Sequence, residues 1–290
     1  MKLRSRVFSI ENSHTISCGY SPTGLTLITQ LDLIGLLGAA VIGLALGLLG
    51  SGGSVLTVPV LVFLFGQDPK TAITGSLLVV GTIALVGALL HGRRQRPDVP
   101  VLLVFAPTGM VGSWLGATAS ALVSGAVQLQ TLSIAMLVAA ALMIRPTAAP
   151  AIDAPPQTAP KRSLTAWFML TSLGLGTGLM TGFVGVGGGF LIVPALVIGA
   201  SLPMHQAVAT SLVLITLNAY TGFFEQWSFH RTSATELDFG TLALVTALGI
   251  VGLLAGEKLA GRLSQRRLRQ FFGIVLIVLA AMLLWDSRQR

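Results

Sequence analysis

The sequence predicts an all-α polytopic membrane protein made of two homologous repeats, with about eight full transmembrane helices and two short half-helices at Gly-rich breaks. Three observations carry that class. Charged residues are only 10% of the 290 residues and hydrophobic residues are 53%, whereas a soluble globular domain carries roughly 25% charged residues. The charges are also spaced far apart. Runs free of Asp, Glu, Lys and Arg cover 33–67, 71–92, 99–144, 163–224, 239–256 and 270–285. About 20 apolar residues cross a bilayer, so several runs hold more than one crossing. The third observation is that the second half of the chain repeats the first.

"GLALGLLGSGGSVLTVPVLV" from Gly43 and "GLMTGFVGVGGGFLIVPALV" from Gly178 align without a gap at an offset of 135. Gly47 falls on Gly182, Gly50 on Gly185, Gly52 on Gly187, Gly53 on Gly188 and Pro59 on Pro194. The register continues to Ser76 and Ser211. "GMVGSWLG" from Gly109 then meets "GIVGLLAG" from Gly249 at an offset of 140. Glycines, a proline and a serine that agree in order over such a span point to an internal duplication.

The elements follow in order. Residues 1–30 are mixed and polar and lack the apolar core of a signal peptide, so they read as a leader. The first repeat, 31–145, opens with a helix over 31–49, a Gly-rich break and a short apolar piece over 55–65. Helices over 71–91, 99–123 and 128–144 complete it. A Pro- and Ala-rich linker, 146–162, reads as stiff and extended. The second repeat, 163–286, gives helices over 164–183, 190–200, 205–226, 239–259 and 267–285. The short pieces span about 17 Å at 1.5 Å per residue, too little for a hydrocarbon core of about 30 Å. Halves that are parallel and halves that are inverted both fit the basic residues in the loops, because the positive-inside count is close to a draw.

The formal charge of +8 sits mostly in loops and tails, with clusters at Lys2, Arg4 and Arg6, at Arg93, Arg94 and Arg96, and at Arg262, Arg266, Arg267 and Arg269. These clusters abut spans, which membrane orientation explains without nucleic acid. The single cysteine, Cys18, allows no intrachain disulfide. No His, Cys or carboxylate cluster has metal spacing. A P-loop or dinucleotide reading of the glycines fails, since no Lys follows them and no acid lies about 20 residues on.

The glycine breaks are the candidate site. Irregular backbone at membrane depth is tolerated where it is buried in protein or lines a wet cavity. The helix that restarts after a break presents N–H groups without intrahelical partners at the positive end of its dipole. Such a terminus binds an anion without a buried cation, and paired broken helices in two repeats mark a transporter's substrate site. The candidate substrate-binding residues are Gly50, Ser51, Gly52, Gly53 and Ser54 in the first copy, and Gly185, Gly187, Gly188 and Gly189 in the second. Ser76, Thr210, Ser211 and Asn218 stand nearby on the following helices. The same glycines could serve helix packing, and the hydroxyls could bond to their own helices. His91 and His205 read as interfacial, as does Glu225.

"GVGGGFLIVPALV" at 185–197 and "AVATSL" at 207–212, with the weaker echoes "GSGGSVLTVPVLV" at 50–62 and "AITGSL" at 72–77, resemble the sulfite exporter TauE/SafE family, also called the toluene sulfonate uptake permease family. The first copy departs from the pattern at Ser51, Ser54 and Gly75. The resemblance implies bacterial inner-membrane transport of small sulfur-containing anions such as sulfite or organosulfonates, driven by an ion gradient. The expected partners are that anion, the lipid bilayer and other copies of the chain in a homo-oligomer, with no nucleic acid, cofactor, metal or catalytic residue. Two other readings compete. The breaks could form a channel filter, or Ser51 or Ser211 could act as a nucleophile with His91 or His205 as base, which requires the two within hydrogen-bond reach.

Overall fold

The computed structural model describes residues 35, 37–48, 52–92, 96–144, 164–200, 202–230, 237–260 and 265–289. The described residues are helical and contain no strand. The helices are α1 (Leu37–Leu48), α2 (Thr57–Phe63), α3 (Pro69–Gly92), α4 (Val99–Ala121), α5 (Gly125–Ile144), α6 (Leu164–Val184), α7 (Gly189–Gly199), α8 (Met204–His230), α9 (Phe239–Ala260) and α10 (Gln265–Gln289). The leader 1–30 and the linker 146–162 lie outside the described residues.

Aspartates start two of the long helices. Asp98 precedes α4, and its side chain accepts a hydrogen bond from the backbone N–H of Val101 at 2.9 Å. Asp238 precedes α9 and accepts from the N–H groups of Gly240 and Thr241 and from the Thr241 hydroxyl. Both use the side-chain cap that helix N-termini favour. They stand 140 residues apart, the offset already seen between these helices. The Thr241 hydroxyl, then its N–H, hold the Asp238 carboxyl below its ordinary range.

Five described stretches are long and apolar enough to cross a membrane: Pro69–Gly92, Val99–Ala121, Trp167–Val184, Gln206–Ser228 and Phe239–Leu259. The expectation of eight is met by five among the described residues. The apolar stretches of α1, α5 and α10 are shorter, at Leu37–Leu48, Gly125–Ala141 and Gly273–Trp285. Cations explain the last of these, because Arg266, Arg267 and Arg269 occupy the first turns of α10. The two most buried spans are α3 and α8, at 61% and 67% of their apolar windows. They form the centre of the bundle.

Close contacts fix the helix directions. α3 and α8 run antiparallel, with Thr74 bonded to Gln226, Gly81 facing Ala219 and Gly87 facing Leu212. α3 and α9 run parallel, through Gly75 with Leu242 and Gly87 with Leu253. α4 and α8 run parallel, through Gly109 with Asn218 and Thr118 with Glu225. α1 is parallel to α9 and α6 is parallel to α4. It follows that α1 runs with α3, and that the chain between them must come back. α2 is the return leg, with Leu64 beside Gly38 and Phe65 beside Gly35. α7 returns along α6 in the same way, with Gly188 beside Thr181 and Gly199 beside Leu173. Each half thus opens with a helical hairpin whose tip is a glycine break. Helices at matched positions in the two halves run in opposite directions.

The outgoing legs of the hairpins cross their neighbours through bare backbone. A side chain at Gly43 would strike the backbone of Gly249, and one at Gly178 the backbone of Gly109. Gly47 abuts Leu253 and the N–H of Glu257, and Gly182 abuts Ser113 and the N–H of Ala117. Each contact of α1 with α9 has its counterpart between α6 and α4 at the offsets of 135 and 140. Glycine at these points lets two helices approach to backbone contact, as small residues do within membranes.

Candidate functional site

The second break is an open left-handed turn. Gly185, Gly187 and Gly188 take φ of 76°, 68° and 63°, a region that only glycine enters freely. Gly188 caps α7, and its carbonyl accepts from the N–H groups of Leu191 and Ile192, both at 3.0 Å. The N–H groups just before these have no carbonyl of their own helix to reach. All of 185–189 is buried. Side chains are excluded as well as unnecessary. A Cβ on Gly185 would stand 2.7 Å from the carbonyl oxygen of Ile73, and one on Gly187 would stand 2.6 Å from Val80 Cγ1.

The two breaks meet. The same Cβ on Gly187 would lie 3.4 Å from Ile215 Cγ2 and 3.6 Å from Ser54 Cβ. Val80 and Ile215 occupy matched positions, 135 apart, near the middle of α3 and α8. The tip of each hairpin therefore reaches the midpoint of the central helix pair. The first break has a different backbone. Gly52–Leu56 is a 3-10 turn that runs directly into α2, and no glycine in it takes a left-handed φ. Gly53 packs on Ala45 and Leu46 of the outgoing leg. Gly50 and Ser51 lie outside the described residues.

The hydroxyls hold the scaffold. Ser76 Oγ lies 2.7 Å from the carbonyl of Ile73 and 2.5 Å from that of Gly185. Its single proton goes to one of them, and either way it buttresses the second break from α3. Ser211 donates to the carbonyl of Val208 in its own helix at 2.8 Å. Thr210 Oγ1 accepts the backbone N–H of Asp98 at 3.1 Å, which ties the start of α4 to α8. Ser54 and Thr57 are fully buried. The described hydrogen bonds include no Ser–His pair, since Ser211 serves Val208 and His91 Nδ1 lies beside Gly87.

Asn218 stands apart from these. Its side chain is fully buried, and neither its amide nitrogen nor its oxygen has a hydrogen-bond partner. It faces Gly109 of α4, one helical turn beyond Ile215. Each unpaired buried polar group costs about 1–3 kcal/mol. The matched position, Ile83 against Gly249, is apolar and carries no such cost.

Gln226 went unnoticed in the sequence. It is buried, donates from Nε2 to the carbonyl of Gly182 at 2.6 Å, and accepts from Thr74 Oγ1 at 2.9 Å. One amide thus pins the outgoing leg of the second hairpin to α3. Ser113 was missed too; its hydroxyl bonds the carbonyl of Asn218 at 2.6 Å. Ser113 lies in an uncharged run and Gln226 just past the end of one, where composition gives no cue. The offset of 135, which sets Gln226 against His91, was the available signal.

Two helical hairpins that meet between antiparallel helices, in an apolar and charge-poor bundle, define a multi-pass membrane protein. The chain belongs to the family described as Sulfite exporter TauE/SafE, whose profile matches residues 35–283. A probable membrane transporter protein of Xylella fastidiosa (strain Temecula1 / ATCC 700964) is 32% identical over 256 residues, covering 85% of this chain and 92% of the relative. A probable membrane transporter protein of Bacillus subtilis (strain 168) is 30% identical over 269 residues, covering 85% and 96%. One from Methanocaldococcus jannaschii is 25% identical over 84% and 93%. No solved structure matches the chain. Family and relatives together make the chain a membrane transporter.

Proposed function

We propose that the chain is a secondary transporter that carries small anions, sulfur-containing ones such as sulfite or organosulfonates, across the bacterial inner membrane. The observation that carries the reading is the buried left-handed turn at Gly185–Gly188, which aims the N-terminus of α7 at the middle of the α3–α8 pair. An anion there meets unpartnered N–H groups and the positive end of a helix dipole. Among the described residues no Lys or Arg is buried, so the attraction comes from backbone. Asn218 adds an unpaired amide one turn from Ile215. Gly187, Gly188 and Gly189 line the turn, while Ser76 supports it through the Gly185 carbonyl and Ser211 bonds within its own helix. Gly50, Ser51, Gly52, Gly53 and Ser54 belong to the matching half, which in this reading is an inverted copy of the other, and Thr210 ties α8 to the start of α4. Inverted repeats of this kind move one bundle against the other around a central site. The sulfur chemistry follows the family's description.

Counterflow in liposomes tests this. Purified protein is loaded with unlabelled sulfite, thiosulfate, a sulfonate or a carboxylate, and entry of labelled sulfite is followed. Saturable entry, stimulated by internal sulfite and lost in Asn218→Leu, is expected. Entry that grows linearly with concentration would indicate a channel, and no stimulation by any sulfur anion would contradict the substrate class.

A further inference from the structure

We infer that His91 and Glu257 form a proton-binding site, the one place where a titratable pair takes over a fastening that the other half makes with a neutral amide. His91 ends α3 and Glu257 lies near the end of α9, two helices that run in parallel. His91 Nδ1 is 3.1 Å from Glu257 Oε1 and 3.2 Å from the carbonyl of Gly87. The side chains are 25% and 17% exposed. The Nδ1 proton serves the Gly87 carbonyl, and Oε1 has no hydrogen-bond partner. With neutral imidazole and ionised carboxylate the pair is an anion with an unsatisfied oxygen. One added proton neutralises it, whether it resides on the ring, at Nε2, or on the carboxyl. Charge is costly to hold in a membrane flank, so occupancy by a proton changes how firmly α3 and α9 are joined.

The repeat shows what that joint does. His91 stands 135 residues from Gln226. Gln226 holds the second hairpin by its bond to Gly182, and that bond is independent of pH. Gly47, the match of Gly182, lies on the first hairpin against the backbone N–H of Glu257. The joint of α3 with α8 that holds the second hairpin is thus neutral, while the joint of α3 with α9, the helix on which the first hairpin packs, carries the His91–Glu257 pair. The first hairpin is therefore the one whose supporting helix feels the proton.

Few other charges face the pair. α1 offers no titratable group among its described residues, and α2 and α5, which also pack on α3, carry none. α9 carries exposed Lys258 beside Glu257. On α3 the next titratable residue is Lys70, at the far end; on α8 Tyr220, Glu225 and His230 lie toward that far end, while His205 starts α8 at the pair's own end, and exposed Arg96 follows α3. Asp98, tied to Thr210 of α8, caps α4.

Two measurements test the site. In liposomes with labelled sulfite as probe, an imposed pH step is expected to drive net flux at least tenfold above the flux without one. His91→Gln, which installs the residue of the matched position, keeps sulfite exchange within twofold but loses the response to the step, as does Glu257→Gln. The second measurement needs no substrate. Leu48→Cys, in a Cys18→Ala background, places a thiol at the buried end of α1. Its maleimide labelling rate, divided by that of free cysteine at each pH, should change at least fivefold between pH 5.5 and 8, and His91→Gln should abolish the change. Labelling that ignores pH, or a His91→Gln protein that responds to pH like the parent, overturns the inference. Parent protein that moves no sulfite yet labels pH-dependently contradicts the substrate class and leaves the proton site supported.

Discussion

The breaks at 50–54 and 185–189 occupy matched places at the tips of two hairpins, and glycine aligns with glycine at three positions in each. Their backbones nevertheless differ. Gly188 is left-handed and starts α7 afresh, while its match Gly53 sits inside a 3-10 turn that flows into α2. Glycine permits a left-handed turn without requiring one. Within the breaks the copies differ at two positions, where Val186 and Gly189 of the second stand against Ser51 and Ser54 of the first. In the proposed reading the left-handed turn is the anion site, and the first break packs against it through Ser54.

Substitutions can break or sharpen this contrast. The outgoing legs should behave alike, because Gly43 and Gly178 each meet bare backbone. Gly43→Leu and Gly178→Leu should each cost more than about 3 kcal/mol, seen as loss of the monodisperse protein on size exclusion; a large effect at one alone would end the equivalence. At the tips, Gly187→Ala combines left-handed strain with a collision against Val80, for about 2–3 kcal/mol and at least a tenfold fall in transport. Val80→Ala should restore part of the stability, and a failure to do so would remove Val80 from the explanation. Ser76→Ala should lower stability by about 1 kcal/mol, because its hydroxyl reaches the second break. Ser211→Ala loses only a bond within its own helix and should shift the thermal midpoint less. Gly66 isolates the strain, since it has φ of 62° and open space around it. Gly66→Ala should cost about 1 kcal/mol without altering transport.

Helix order and hairpin tips were legible because glycine, proline and charge mark their ends: the bounds at 99, 164 and 239 were read from Asp98, Arg162 and Asp238. The direction of the halves was not legible. Loop charges balance, and only contacts such as Thr74 with Gln226 show α3 and α8 to be antiparallel. The glycines also concealed the difference between the breaks, because identical residues fit both backbones. Ser211, with Thr210, looked the stronger candidate, and yet only Ser76 faces a carbonyl of the other half. Buried amides are invisible to composition, and Asn218 came to attention by its place on a helix, while Gln226 was passed over.

The central claim is that an anion binds at the second break rather than the first. Anomalous scattering from crystals of the purified protein grown with selenite, a heavier stand-in for sulfite, measures this directly. The account predicts a selenium peak within hydrogen-bond distance of the N–H groups at Gly187–Gly189, and no peak in crystals of Asn218→Leu. A peak at Gly52–Ser54 alone, or none under conditions where the parent protein transports selenite, would contradict it.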